Sequence, residues 1–490
     1  MSDNIEPSKT KNMHWGIGSI PFAVLFALLF GVLRHFGSRA LEGGCQVALL
    51  VSSAVVVFIA MVFYKVEWAR IEKAIVANIK TISMALIVLL CIGAVSGSWM
   101  VSGVVPAMIY YGLQILSPGI FLLVACVISA LVSIMTGSSW TTIATIGVAL
   151  IGIGSVLGFN PALSAGAIIS GAYFGDKLSP LSDTTIVASS INEVPLFTHI
   201  RYMLITTIPS FSIACVAFFV ISLCHHSSND IQTVEFSSSL QQTFSISPWL
   251  MVVPLLTVIL IVKKVPAIIT LILSSLMAIA TALITQPDLV ASIGGCPGFA
   301  GQFKGSMLTL YGNTQIETGN VTLNSLVETH GMAGMLNTIF LICCSATFGG
   351  TLTGSGLTES FTEMLSQRLS KTPSIVASTV CSGIGANMAT GDQYLSIILM
   401  SNLFKKLYHD KGLENRLLSR SSEDSATVVS VLIPWNSCGM TQSRVLNVPT
   451  LEYLPYCFFN ILSPIVSICV AATGYKIVSR MAPKTNPETK

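Results

Sequence analysis

Long apolar runs separated by short polar breaks organise this chain. Ile17–Leu33, Ala48–Tyr64, Ile82–Gly97, Ile120–Met135, Ile205–Leu223, Trp249–Val262 and Ile268–Ile284 follow one another along it. Each approaches the roughly 20 residues that a helix needs to cross about 30 Å of hydrocarbon. Continuous apolarity, rather than strict alternation, predicts helices and not the strands of a barrel. One such run fits a buried core helix equally well; this many in series predicts an all-α, polytopic membrane protein. The first run ends in Leu33-Arg34-His35 without a small-residue cleavage site behind it, so it reads as a retained span and not a cleaved signal.

Composition agrees and narrows the class. Of 490 residues, 52% are hydrophobic and 10% charged, with a mean hydropathy of +0.76. Soluble domains carry about 25% charged residues, so this chain lacks the charge to cover a water-facing surface. Net charge, +3, says less than its distribution. Lys65, Arg70, Lys73 and Lys80 cluster in one loop, and Lys405, Lys406, Lys411, Arg416 and Arg420 in another. His225–Ser247 holds no Lys or Arg, and Pro287–Gly334 holds only Lys304. The positive-inside rule then places both termini in the cytoplasm and predicts an even number of crossings. The twelve cysteines are scattered through apolar runs without CxxC spacing and read as small hydrophobes. No phosphate-cradling loop, HExxH or GxSxG motif is present, so neither ATP drive nor an enzyme is indicated. No cofactor or nucleic-acid partner is expected; the partners are the bilayer and a transported solute.

Two regions break the pattern. Between Thr136 and Thr185 lie Thr-Gly-Ser-Ser-Trp-Thr-Thr (136–142), Gly-rich apolar sequence, and Gly175-Asp-Lys-Leu-Ser-Pro-Leu-Ser-Asp-Thr-Thr185. Between Asn387 and Asn436 lie Ala-Thr-Gly-Asp-Gln-Tyr (389–394), a basic loop, Ser422-Glu-Asp-Ser-Ala-Thr427 and Pro434-Trp-Asn436. Both open with Thr-Gly, polar residues and an aromatic; both later carry a Ser/Asp cluster ending in Thr. Weak internal symmetry of this kind is expected of a carrier built from two related halves. Glu359–Lys371 reads as an amphipathic helix at the cytoplasmic interface. Gly154…Gly158, Gly171…Gly175 and Gly350…Gly354 read as helix-packing contacts.

Carboxylates inside apolar sequence are the sharpest chemical signal, because an ionised Asp at mid-helix costs about 2.5–3.5 kcal/mol. The candidates are Asp176, Asp183, Asp392, Glu423 and Asp424, with Lys177 beside the first. Around them stand oxygen donors and helix breakers, among them Ser138, Thr184, Asn387 and Asn436. Pro and Gly free backbone carbonyls, which is tolerated at membrane depth only where a segment lines a cavity or packs within protein. Hard oxygens suit a hard cation such as sodium. A carboxylate that must lose its proton to bind sodium carries the two in opposite directions. Other readings stand beside these: Asp176-Lys177 as a neutralised pair at a helix end, Glu423 as N-terminal helix charge, and His199, Arg201 and Trp140 as interfacial anchors.

The motif Gly171-Ala-Tyr-Phe-Gly-Asp-Lys-Leu-Ser-Pro-Leu-Ser-Asp-Thr-Thr185 closely resembles the signature of the NhaC family of sodium/proton antiporters, in the ion-transporter superfamily. Thr136–Thr142, Thr390-Gly-Asp-Gln-Tyr-Leu-Ser396, Leu418-Ser-Arg…Glu423-Asp-Ser425, Leu432-Ile-Pro-Trp-Asn436 and Leu454-Pro-Tyr…Ser463-Pro464 extend the likeness to residues 80–475. It departs from the family's pattern at Met400-Ser-Asn402 and Ile186-Val187. The resemblance implies a helical bundle of two inverted repeats with re-entrant hairpins and broken helices, a transport part moving against a scaffold, and a homodimer in the bacterial inner membrane. The corresponding division is 1–80 for the N-terminal spans and loop, 81–247 for the first repeat, 248–334 for connecting spans and the external region, 335–475 for the second repeat, and 476–490 for the tail. The expected activity is exchange of sodium for protons. Asp183 is the leading ion-binding carboxylate, in a broken Ser/Thr-rich segment. Asp392 and Asp424 are its counterparts, with Asp183 and Asp392 as the sodium ligands, Asp176 as a further candidate, and Ser138, Thr184, Asn387 and Asn436 as neutral ligands. Relatives that exchange malate for lactate have similar signatures, so a carboxylate exchanger is the alternative, with Lys177 as partner to the substrate's charge.

Overall fold

The computed structural model describes residues 15–36, 43–224, 230–263, 265–318, 323–324, 327–357 and 371–476. Among them the chain is helical, with a single isolated bridge between Thr314 and Thr329 and no strand. The first half runs α1 (Ile20–Phe36), α2 (Gly44–Tyr64), α3 (Trp68–Val101), α4 (Val104–Ile115), α5 (Phe121–Thr136), α6 (Ser139–Val156), α7 (Pro161–Leu178), α8 (Asp183–Ile191) and α9 (Leu196–Cys224). The rest runs α10 (Asp230–Thr243), α11 (Val252–Val262), α12 (Ala267–Thr285), α13 (Pro287–Gly294), α14 (Gly298–Tyr311), α15 (Leu336–Gly354), α16 (Thr372–Thr390), α17 (Gln393–Asp410), α18 (Asn415–Ser422), α19 (Ser437–Leu446) and α20 (Phe458–Thr473).

Eight of these helices are long and apolar enough to cross a membrane, or up to ten if two bent pairs each count as one span. The bends are 88° between Ser237–Thr243 and Pro248–Ile261, and 58° between Thr450–Tyr456 and Phe458–Thr473. The chain is thus a multi-pass membrane protein with broken helices. Two spans, Ser139–Val156 and Met332–Gly354, escape a search for continuous apolar runs. Their mean hydropathy is 1.6, against 2.3 for Gly16–Phe36, yet 83% and 56% of them are buried inside the protein, against 24%. A span walled in by other helices needs small residues that fit more than greasy ones that face lipid.

Small residues do set the packing. A Cβ on Gly171 would lie 2.0 Å from the Cys126 carbonyl oxygen, and one on Gly175 2.3 Å from that of Ala130, so α7 rests directly on α5. Gly350 and Gly354 bring α15 against the α3 backbone at Ile75 and Ile71 in the same way. Gly154 likewise packs on Ser164 and Phe121, whereas Gly158, at φ +80°, ends α6 in a turn.

Two expectations meet a different outcome, and a third lies outside the described residues. Arg70, Lys73 and Lys80 lie not in a loop but on the exposed start of α3, whose 34 residues exceed what the bilayer needs. The Gly-rich sequence after Pro287 is an α13–α14 hairpin, closed where a Cβ on Gly305 would meet the Val290 carbonyl oxygen at 1.9 Å. His199 and Trp140 are buried, so they are not interfacial anchors, whereas Arg201 is exposed. The stretch read as an amphipathic helix, Glu359–Lys371, lies outside the described residues except for Lys371. The described cysteines form no disulfide with one another.

Candidate functional site

Two tips in the bundle are built alike. After α5, Gly137 turns the chain at φ +67°, and Ser138 caps α6 by accepting from the Thr141 amide at 3.2 Å. After α16, Gly391 turns it at φ +63°, and Asp392 caps α17 by accepting from the Tyr394 and Leu395 amides at 2.9 and 3.0 Å. Only glycine enters this left-handed region without strain. At the first tip the Thr136 hydroxyl donates to the Ser138 carbonyl and meets the Thr142 hydroxyl at 3.0 Å. At the second the Thr390 hydroxyl donates to the Asp392 carbonyl and meets the Ser396 hydroxyl at 2.9 Å. Thr-Gly therefore marks the same hydrogen-bonded knot twice.

Each half also contains a proline break followed by a new helix N-terminus. Pro180 precedes Ser182, which leads into α8, and Pro434 precedes Asn436, whose side chain accepts from the Cys438 amide at 3.0 Å to cap α19. Ser182–Thr185 and 436–439 thus both start a helix after a proline, unlike Ser422–Thr427. The latter stays helical as a π turn, Glu423–Thr427, matched by a second π turn at Ile143–Gly147.

A cavity of about 570 Å³ opens where the first tip, the first break and the second tip meet. Asp176, Asp183, Ser138 and Thr184 all line it, together with Gln393 and Tyr394. Asp176 is 5% exposed, and its Oδ2 accepts from the Ser139 amide at 3.0 Å and the Ser139 hydroxyl at 2.7 Å. Asp183, the first residue of α8, is exposed into the cavity. Thr184 is buried and shares a 3.0 Å hydrogen bond with Ser182. Gln393 Oε1 and Trp140 Nε1 belong to buried lining residues and have no partner. Among the described residues no Lys, Arg or His lines this cavity.

The remaining candidates are elsewhere. Asp392 is buried and ties the second tip to the start of α19: beyond its own cap, Oδ2 accepts from the Ser437 hydroxyl at 3.2 Å. Asn387 and Asn436 are fully buried away from the cavity. Asn387 Nδ2 donates to the Ala426 carbonyl at 2.6 Å, relieving the π turn, and Asn436 Nδ2 donates to Asn387 Oδ1 at 3.1 Å. Lys177 is fully buried and ion-paired to Asp424, not to Asp176, so it neither closes a helix end with its neighbour nor faces the cavity. Asp424 Oδ1 also accepts from the Thr206 and Ser463 hydroxyls, each at 3.1 Å, while Arg420 Nε stands 3.9 Å from Oδ2. Arg420 in turn lies over the Tyr202 ring at 4.8 Å. Asp183 lines the cavity and Asp392 is not among its lining residues, and among the described residues no three His, Cys, Asp or Glu side chains gather as a metal site.

Gln393 and Tyr394 were not singled out as site residues, although both stand in the Thr-Gly-Asp-Gln-Tyr motif beside the capping residue Asp392.

The sequence profile of the Na+/H+ antiporter family matches residues 171–475. The sodium/proton antiporter NhaC of Bacillus subtilis (strain 168) is 37% identical over 424 residues, covering 85% of this chain and 90% of that protein. NhaC of Alkalihalophilus pseudofirmus is 37% identical, covering 84% and 87%. A malate-2H(+)/Na(+)-lactate antiporter of Bacillus subtilis (strain 168) is 35% identical, covering 88% and 89%.

Proposed function

The chain belongs to the Na+/H+ antiporter family, and on that premise we propose that it exchanges sodium ions for protons across the membrane. One observation carries the choice of cargo. The cavity presents two carboxylates and several hydroxyls, with no basic side chain among the described residues. A carboxylate substrate needs a positive partner or free helix N-terminal amides. Lys177 is engaged by Asp424, the amides at the starts of α6 and α17 already serve Asp176 and Asp392, and the uncapped start of α8 carries Asp183 itself, whose charge opposes an anion there. A sodium ion finds there a carboxylate open to water, Asp183, beside a buried one, Asp176, with neutral oxygens on Ser138, Thr184 and Gln393.

A second, smaller cavity of about 230 Å³ supports alternating access. It touches α3 at Gly93, Ser96 and Met100 and α6 from Val148 to Ser155, whereas the first touches α3 at Met84 and Val88 and α6 at Trp140 and Thr141. The two approach each other along the same two helices. The gap from Thr141 to Val148, about 10 Å of helix axis, contains the π turn. In this reading the halves 81–247 and 335–475 are related repeats, the molecule is a homodimer, and both termini face the cytoplasm of a bacterial inner membrane. Light scattering of the purified protein tests the dimer, and reporter fusions at each terminus test the orientation.

The test of function is purified protein in acid-loaded proteoliposomes holding a pH-sensitive dye. External sodium alone should dissipate the gradient. If nothing moves until malate or lactate is supplied, the protein is the carboxylate exchanger.

A further inference from the structure

The cavity at the two tips is larger and more apolar than a sodium ion requires. At about 570 Å³ it far exceeds one ion and falls within the roughly 300–1,000 Å³ of small-molecule sites. Its lining changes character along the helices that form it. Asp183 opens α8, and Val187 follows it on the wall one helical turn later; on α17, Ile398 follows Tyr394 at the same interval. Met84 and Val88 of α3, Ile261 of α11 and Ile268 of α12 extend this apolar sleeve. A bare ion and its hydration water gain nothing from such a surface, whereas a hydrocarbon body does.

The polar end selects for positive charge and for hydrogen-bond donors. It carries two carboxylates and, among the described residues, no Lys, Arg or His. Asp176 is satisfied by the Ser139 amide and hydroxyl, so Asp183 is the carboxylate left open to a guest. Gln393, only 3% exposed, lines the same cavity with an Oε1 that accepts no hydrogen bond. An acceptor buried without a donor is costly, and a donor supplied by a guest removes that cost. An ammonium group brings one charge and three donors, enough for Asp183, Gln393 and one neighbouring hydroxyl. Trp140 and Tyr394 line the cavity as well, and aromatic rings attract ammonium groups.

We propose that this cavity also binds organic monocations, a primary ammonium on an unbranched apolar body, in place of sodium. The ammonium sits at Asp183 and Gln393, and the body lies along Val187 and Ile398. The polar end of this site rests on the sodium/proton reading above; the sleeve is independent of it. Sodium and the amine exclude each other, because both need Asp183.

Equilibrium binding to the purified full-length protein tests this with two labels, radioactive sodium and radioactive hexylammonium. Methyl-, butyl- and hexylammonium should displace sodium with rising potency, by about two- to fourfold for each methylene added. Hexanol and hexanoate, which lack the positive charge, should not displace it. Asp183→Asn should lose hexylammonium binding. Val187→Thr, nearly isosteric, should weaken hexylammonium relative to methylammonium by at least about threefold and leave sodium affinity within about twofold. Equal potency of methyl- and hexylammonium overturns the proposal. So does displacement by hexanol as strong as by hexylammonium, which marks partition into the detergent. Protein that binds hexylammonium through Asp183 but binds no sodium keeps the organic-cation site and sinks the sodium reading. Saturable sodium binding without hexylammonium binding does the reverse.

Discussion

Replacing Lys177 with methionine removes the cation in contact with Asp424 Oδ1 and leaves that carboxylate in a site from which water is excluded. Its remaining partners are the hydroxyls of Thr206 and Ser463 at 3.1 Å, with Arg420 Nε at 3.9 Å from the other oxygen. Stranding one member of a buried pair costs about 3–5 kcal/mol, and the Arg420 contact places Lys177→Met near 3. Asp424→Asn strands Lys177 and Arg420 together, so its cost should be the larger of the two. The double variant leaves only Arg420 unpaired and should cost less than the sum of the singles by about 2 kcal/mol, within the range for directly coupled neighbours. A double-mutant cycle on reversible unfolding in mixed micelles reads these values. A parallel cycle of Lys177→Met with Asp176→Asn should show the weaker coupling, because Asp176 is held by Ser139. Additivity within about 0.5 kcal/mol for the Lys177–Asp424 pair would refute the reasoning. So would stronger coupling of Lys177 to Asp176 than to Asp424.

Asp392→Ala should act on stability first, costing about 1–2 kcal/mol for the lost cap of α17, with sodium KM changed less than in Asp183→Asn; unfolding and transport assays on one preparation compare the two. Gly171→Leu should disrupt the α5–α7 contact, where even a Cβ lies 2.0 Å from a carbonyl oxygen, and lower the yield of folded protein in gel filtration. Burial, and then the nearby Arg444, hold His330 below the ordinary histidine range. It is therefore neutral from about pH 6.5 upward, and His330→Gln should leave the pH profile of transport there unchanged.

Much of this arrangement was legible in the sequence for identifiable reasons. Lipid-facing spans must be apolar along their length, so α1, α2 and α12 announce themselves. Glycine in the left-handed region leaves its mark next to a capping residue, which is why Thr136-Gly137 and Thr390-Gly391 pointed to both tips. Spans enclosed by protein are not under the same demand, and α6 and α15 were hidden for that reason. Among the acids, position along the chain gave no ranking. Asp176 and Lys177 are adjacent yet lie about 100° apart around α7, so one reaches the cavity and the other reaches Asp424, 247 residues away in sequence. Glu423 and Asp424 divide in the same way, for only Asp424 is ion-paired to Lys177. Helical phase and long-range packing decide such matters, and neither can be read from residue identity alone.

The central claim is that sodium binds in the cavity at Asp183 and Asp176. The most direct measurement is equilibrium binding of radioactive sodium to the purified protein, wild type against Asp183→Asn, with unfolding curves to confirm that both are folded. Asp183 is exposed and no hydrogen bond holds its carboxylate, so the variant should keep its stability and lose saturable sodium binding. Saturable binding by folded Asp183→Asn with wild-type affinity would place the ion elsewhere and contradict the account.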